Sequence, residues 1–275
     1  MTQSPPERVS VAVVGAGKMG ETLLAGLLRA GWPTADLVAT VRRASRGEQL
    51  AERHGIDIVD NPTAVTRADV IVLAVKPQDM ATLIAKLGPD VPPGKLVVSI
   101  AAGIPTSFLE RHLPESTPVI RVMTNTPALV DEAMSAISAG AHAGLEHLEL
   151  AERMLRPLGK TIRVPESQQD AVTALSGSGP AYFYYLVEAM TDAGILLGLP
   201  RTVAHDLIVQ SAIGAAVMLR DSGEHPVRLR EAVTSPAGTT ISAIRELENH
   251  RVRAAFLSAL EAARDRAREL AADLG

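Results

Sequence analysis

The sequence predicts an α/β fold: a doubly wound parallel-sheet domain over residues 1–164, followed by an all-helical domain over residues 165–275. Three observations carry that division. An apolar strand from Val9 runs into Gly15-Ala16-Gly17-Lys18-Met19-Gly20 and then into a helical stretch, Glu21 to Ala30. Apolar runs then alternate with helical stretches as far as Val164, among them the continuous Val70 to Val75, as in parallel strands covered on both faces. Beyond Pro165 no strand pattern recurs, and glycines and prolines punctuate one helical segment after another.

Taken in order, the glycine segment comes first. A G-x-G-x-x-G between strand and helix is the arrangement of a Rossmann dinucleotide site. Gly15 permits the tight turn, Gly17 lets the backbone approach a pyrophosphate, and Gly20 lets the helix lie close to the strand. The helix start at Lys18 and Met19 turns free N–H groups toward the same anion. The second strand is Leu37 to Val41. A site for NAD places a carboxylate about 20 residues beyond the glycines, on the ribose 2′-OH. Here Thr40 and Val41 are followed by Arg42, Arg43, Ala44, Ser45 and Arg46, and no carboxylate comes before Glu48. Such a turn suits a 2′-phosphate, although a solvated basic turn accounts for it too. The expected cofactor is NADPH, with NADH a weaker alternative.

Ile56 to Val59 reads as a short strand, and Asn61-Pro62 as a helix N-cap with proline at the first helical position. After Val70 to Val75, Lys76 and Pro77 fall beyond a strand's carboxyl end, where ligands lie in such sheets. Lys76 reads equally well as a solvated lysine. Leu96 to Ile100 is the next strand, and Ala101-Ala102-Gly103 leaves room at its end for a flat ring. Val119 to Met123, Ala133 to Ala139 and Thr161 to Val164 complete the strands, with the turn-rich Thr124-Asn125-Thr126-Pro127 after the first of these.

In the second half, Ser167 with Asp170 fits a capping box. Helices are expected at 168–175, 180–197, 201–220, 227–233, 239–248 and 252–272. The run Leu207 to Leu219 is apolar or small around nearly its whole circumference, so it must be buried on most faces, within the chain or against a second subunit. The last helix reads as partly exposed, its charges a solvated face. Two loops are dense in small and hydroxyl residues: Ser176-Gly177-Ser178-Gly179-Pro180 and Thr234-Ser235-Pro236-Ala237-Gly238-Thr239-Thr240. Helix capping accounts for either. The second also opens a helix with free N–H groups and two threonine hydroxyls, which can hold a carboxylate.

Composition narrows the chemistry. The 275 residues are 47% apolar with a net charge of −4, which argues against a nucleic-acid partner. The absence of cysteine excludes disulfides, thiolate catalysis and cysteine-ligated zinc, and suits a reducing cytoplasm. MTQSPPER has no apolar core of a signal peptide, and no apolar run reads as long enough for a membrane span, so a soluble protein is expected. No metal site is read. After Lys160 there is no lysine, and His205, His225 and His250 sit in helical or capping contexts. Ketone reduction usually wants a positioned Lys or His as proton donor. A protonated imine already carries its proton, so hydroxyls and backbone N–H groups can serve it.

Val233 to Ile241, V-T-S-P-A-G-T-T-I, closely resembles the signature of the Δ1-pyrroline-5-carboxylate reductase family. GAGKMG, Ala74-Val75-Lys76-Pro77, Ala101-Ala102-Gly103, RVMTNTP (Arg121 to Pro127) and LSGSGPAY (Leu175 to Tyr182) match in order and spacing over essentially all 275 residues. One departure is visible: the family usually has glycine where Ala237 stands. The resemblance implies reduction of a cyclic imine to L-proline by an N-terminal Rossmann domain and a C-terminal helical dimerisation domain. Subunits of that family intertwine, sharing residues between active sites, and their dimers often assemble into rings. By the same resemblance the glycine loop and Thr40 to Arg43 hold the pyrophosphate and 2′-phosphate, and Asn61 touches the adenosine ribose. Ala74 to Pro77 and Ala101 to Gly103 lie along the nicotinamide. Ser178, Ser235, Gly238, Thr239 and Thr240 bind the substrate, with backbone N–H groups on its carboxylate and the Thr240 hydroxyl near the ring nitrogen. A β-hydroxyacid dehydrogenase lacks its catalytic helix lysine here, and a non-catalytic NADP-binding sensor is the other alternative.

Overall fold

A computed structural model describes residues 9–272 and divides the chain into two compact units. One comprises the residues up to Ser178 together with those from Ala263 onward, and the other Gly179–Ala262.

The first unit is built on an eight-stranded sheet of order β3-β2-β1-β4-β5-β6-β7-β8. Its strands are β1 (Val11–Val14), β2 (Leu37–Thr40), β3 (Asp57–Ile58), β4 (Val70–Leu73), β5 (Leu96–Ser99), β6 (Val119–Met123), β7 (Ala133–Ala139) and β8 (Gly159–Arg163). All neighbours are parallel except β6 and β7. The four-residue strands β1, β2, β4 and β5 are buried along their whole length, which is why their sequences are continuous apolar runs and not alternating ones. Val11, Val13, Val70 and Val72 pack under α1 (Lys18–Arg29), on Leu23, Leu24 and Leu27. Ile71, Leu73 and Val97 face the other way, onto Met80 and Ile84. The period of two along each strand thus supplies both faces of the sheet.

Four further helices complete the crossovers: α2 (Ala44–His54), α3 (Asn61–Arg67), α4 (Pro77–Leu87) and α5 (Thr106–Glu110). A sixth, α6 (Leu145–Leu155), joins β7 to β8. The strand order reverses between β1 and β4, the switch point outside which ligands bind in open α/β sheets.

Three local expectations are corrected by the structure. Asn61 is not the cap of α3: Asp60 is, its carboxylate accepting the Thr63 N–H at 2.9 Å, and Asn61 opens the helix. Nor does Ser167 form a capping box. It lies within a 3-10 turn, Glu166–Gln168, while the Asp170 carboxylate turns to the buried Arg121 guanidinium, 3.7 Å away. The expected helix over 168–175 is instead one turn, α7 (Gln169–Val172), running into a π-helical turn, Thr173–Gly177.

Residues 166–178 pack on the sheet. Glu166 accepts from the Thr106 N–H (2.8 Å) and hydroxyl (2.6 Å) and from Arg121 Nη1 (3.2 Å). The fully buried Gln169 donates to the Ser138 hydroxyl at 2.8 Å.

The second unit contains α8 (Gly179–Leu196), α9 (Arg201–Asp221), α10 (Pro226–Ala232) and α11 (Thr239–Asn249), and α12 (Val252–Ala272) begins in it. The α8 and α9 helices pack on each other, where a Cβ at Gly194 would come within 2.6 Å of the Ala204 methyl. Apart from Ala204, α9 has no buried residue, and Leu207, Ile213, Val217, Met218 and Leu219 are all exposed. Among the described residues, the chain leaves this helix largely exposed. At 21 residues and mean hydropathy 1.5 it is also long and apolar enough to cross a membrane, which corrects the expectation that no run reaches that length. The scattered Gln210, Ser211 and Gly214 disguise this, because they interrupt the apolar run without lowering its mean far.

Candidate active site

The row Val14, Thr40, Leu73, Ser99 lies abreast across four parallel strands. The segments leaving these strands therefore emerge on one edge of the sheet: the glycine loop, the basic turn, Ala74 to Pro77, and Ala101 to Gly103. Segments distant in sequence become neighbours through register alone.

Gly15 has φ +80°, and a Cβ there would lie 2.3 Å from a Val75 methyl, so only glycine fits. A Cβ on Gly17 would meet nothing closer than 4.0 Å, and no side chain caps the start of α1. That open cradle of N–H groups is the shape and polarity that a pyrophosphate needs. At Gly20 a Cβ would press within 2.9 Å of Val13, which shows why α1 can lie so close to β1. Lys18 is exposed and Met19 half-buried beside the loop.

Thr40 is buried, and it holds the loop from beneath. Its carbonyl accepts from the N–H of Gly15 (3.1 Å) and Ala16 (2.8 Å), and its hydroxyl accepts a second bond from Gly15 (3.2 Å). Arg42 and Arg43 are exposed, with no ion pair among the described residues. Arg46, the third guanidinium of the turn, is engaged: its Nη2 donates to Glu21 at 2.6 Å. Burial pushes the Glu21 carboxyl up, but hydrogen bonds with Arg46, His54 and Arg53, together with the charge of Arg46, hold it below its ordinary value of 4.5.

Asn61 is half-buried just past β3. Lys76 is exposed ahead of α4, without an ion pair among the described residues. Ala101 is buried and Ala102 exposed. At Gly103, φ is +75°, and a Cβ would meet nothing within 4 Å, which leaves open space there.

Asn125 binds the two motif loops of the first unit together. Its Nδ2 donates to the Ser176 carbonyl (3.2 Å) and hydroxyl (3.3 Å), and its Oδ1 accepts from the Met134 N–H (3.1 Å). A Cβ on Gly177 would collide with the Met123 methyl at 2.2 Å, so the π-helical turn is packed directly on the end of β6. Ser178 is half-buried just beyond that turn. π-Helical turns of this sort concentrate at functional sites.

In the second unit, α11 starts at Gly238 with no side-chain cap, leaving the first-turn N–H groups of Thr239 and Thr240 without one. A Cβ on Gly238 would lie 2.4 Å from Ser235 Oγ, so Ser235 occupies the space that a larger residue would need. Ala237, just before it, sits in the left-handed region at φ +55°. Thr240 is half-buried, and Thr239 and Ser235 are exposed.

A glycine cradle open to a pyrophosphate at the switch point of a doubly wound sheet is the arrangement of a Rossmann dinucleotide-binding protein, here followed by a helical half whose α9 is largely exposed. Comparison with known proteins carries the definition further. Residues 10–103 match the family model described as NADP oxidoreductase coenzyme F420-dependent, and residues 166–270 match that of pyrroline-5-carboxylate reductase dimerisation.

The chain is 45% identical to a pyrroline-5-carboxylate reductase of Pseudomonas aeruginosa, over 96% of this chain and 98% of that one. To one of Corynebacterium melassecola it is 42% identical, over 95% and 98%. Among solved structures, the pyrroline-5-carboxylate reductase of Coxiella burnetii superposes with a TM-score of 0.91 at 34% identity, over 96% of this chain and 99% of that one. The Plasmodium falciparum enzyme, solved with NADP bound, gives 0.86 at 25% identity, again over 96% and 99%. The chain belongs to the pyrroline-5-carboxylate reductase family.

Sequence reasoning missed the engagement of Arg46 by Glu21, the bridging role of Asn125 and the π-helical turn. Only Asn125 left a signal, as a polar residue inside a matched motif.

Proposed function

We propose that this chain reduces the C=N bond of 1-pyrroline-5-carboxylate with NADPH, giving L-proline in the last step of proline biosynthesis. The observation that carries the reading is the uncapped start of α11, with two threonines at an N–H-rich terminus, in a chain that has no lysine beyond Lys160.

Gly15, Gly17, Lys18, Met19 and Gly20 would hold the pyrophosphate. Arg42 and Arg43 would hold the 2′-phosphate, with Thr40 fixing the loop from below, and Asn61 would meet the adenosine ribose. Ala74, Val75, Lys76, Pro77, Ala101, Ala102 and Gly103 would border the nicotinamide. When bound, NADPH supplies the hydride. Gly238, Thr239 and the backbone N–H of Thr240 would hold the substrate carboxylate, with Ser178 and Ser235 beside it. The Thr240 hydroxyl would fix the ring nitrogen, so that the protonated imine carbon is presented in one orientation. Catalysis then rests on proximity and orientation, and not on a titrating side chain.

The first 164 residues carry the cofactor in this reading, and residues 165–275 the subunit contact and the substrate. The active form is a cytoplasmic homodimer joined through the helical half, with rings of dimers as a higher assembly. In this reading the apolar length of α9 serves that contact and not a membrane span, and the match of the dimerisation model over the whole helix supports it.

The test is NADPH oxidation with pyrroline-5-carboxylate, run beside a 3-hydroxyacid with NADP and a six-membered cyclic imine with NADPH. Preference for the pyrroline supports the reading. Turnover of the hydroxyacid would point to a β-hydroxyacid dehydrogenase, and cofactor binding without any turnover to a sensor.

A further inference from the structure

The basic turn after β2 offers three guanidiniums, but they are not equivalent. Arg42 and Arg43 are exposed and unpaired among the described residues, whereas Arg46 is bound to Glu21 at 2.6 Å. The same carboxylate accepts from Arg53 Nη1 at 2.7 Å and meets His54 Nε2 at 3.2 Å. The geometry is specific. Glu21 lies in the first turn of α1, directly after the glycine loop, and Arg46 lies in the first turn of α2. Arg53 and His54 lie in its last turn, seven and eight residues further on and so on the same helical face. The side chains of Glu21, Arg46 and His54 are 17%, 21% and 12% exposed, which limits solvent screening of the Glu21–Arg46 pair, while Arg53 is largely exposed.

The turn between β2 and α2 is therefore clamped at both ends. Thr40 fixes its beginning to Gly15 and Ala16, and Glu21 fixes its far side to the helix that those glycines open. Between the clamps stand Arg42 and Arg43. A planar guanidinium binds phosphate strongly only when its fork is already aimed, because ordering it at binding costs affinity.

We infer that Glu21 is a positioning residue for cofactor discrimination, holding the Arg42–Arg43 turn at a fixed distance from the pyrophosphate cradle. It touches neither cofactor nor substrate, and acts through Arg46 and the face of α2. The inference rests on the reading of Arg42 and Arg43 as 2′-phosphate ligands.

The experiment measures dissociation constants of NADPH and NADH, by fluorescence titration of the full-length protein, for wild type, Glu21→Gln, Arg46→Ala, their double variant and the Arg42→Ala/Arg43→Ala variant. Glu21→Gln should reduce the preference for NADPH over NADH about fivefold or more, with NADH affinity within about twofold of wild type. A general loosening of the fold would weaken both cofactors alike and overturn the proposal. So would an unchanged preference, or a raised one, in which the freed Arg46 simply adds a third phosphate ligand. Arg46→Ala should reproduce the loss, and the double variant should be no worse than the poorer single one, since both remove the same clamp. Additive losses would make Arg46 an independent ligand and overturn the proposal. Should Glu21→Gln fail to fold, the Arg46→Ala arm decides: an unchanged preference overturns the proposal. If Arg42→Ala/Arg43→Ala leaves the preference intact, the phosphate reading itself fails. If that variant loses it and Glu21→Gln does not, only the positioning role fails.

Discussion

At the scale of single residues, the proposed reading puts the chemistry on groups that titrate poorly. In it Thr240 would hold the substrate nitrogen and not protonate it, since a threonine hydroxyl is a weak acid at neutral pH. Thr240→Val keeps the shape and deletes the hydroxyl. It should cost about 1–3 kcal/mol of transition-state stabilisation, roughly 5- to 150-fold in kcat/KM, with NADPH affinity nearly intact. Steady-state kinetics across pH checks this, and the profile should keep its form because the ionisation that matters belongs to the imine. A lost limb in that profile would make Thr240 an essential acid.

Beside it, Ala237 occupies a left-handed conformation that glycine adopts without strain, at the position where the family usually has glycine. That departure was visible in the sequence, but its backbone cost was not, because φ is set by the Ser235–Gly238 turn that closes around it.

At the scale of elements, local pattern and tertiary contact divide what could be read in advance. The strands β1, β2, β4 and β5 were legible because burial on both faces makes each a continuous apolar run, and the glycine loop because its spacing is fixed by a turn, a close approach and a packed helix. The Asp60 cap was not, since Asn61-Pro62 is an equally good capping sequence and only the carboxylate's reach to Thr63 decides between them. The π-helical turn at Thr173–Gly177 was hidden for another reason. It is held by Asn125 and by Met123 packing on Gly177, contacts from some fifty residues away that leave no periodic mark.

The clamp of α2 on α1 is equally tertiary, and it makes a pH prediction. The Glu21 carboxyl is held below its ordinary 4.5 in the folded state, so its contribution to stability is complete above that value and lost as pH falls through the lower, folded one. Chemical denaturation should show Glu21→Gln less stable than wild type by roughly 1.5–3 kcal/mol at pH 7, the scale of hydrogen bonds to a charged group. The gap should narrow as pH falls below 4.5, through the lower folded-state value. A gap that widens in acid would contradict the sign.

At the scale of the whole molecule, the exposed apolar length of α9 is the feature that one chain cannot explain. Its residues read in sequence as a buried helix, and the single chain does not bury them. Gly214 has no heavy atom outside its own helix near enough to touch a Cβ, and Ala215 is exposed, so a charge at Ala215 is tolerated by the single chain and opposed only by a second one. Ala215→Glu should therefore give a folded protein by circular dichroism that sediments as monomer and has lost activity. A variant that remains dimeric would remove α9 from the subunit contact.

The central assignment is the reduction of 1-pyrroline-5-carboxylate to L-proline by NADPH. The most direct measurement is the product: purified protein incubated with NADPH and pyrroline-5-carboxylate, with L-proline counted against NADPH consumed. One L-proline per NADPH, with none formed when either reactant is left out, is the predicted result. NADPH consumed without L-proline, or no consumption by a folded and dimeric protein, would contradict it.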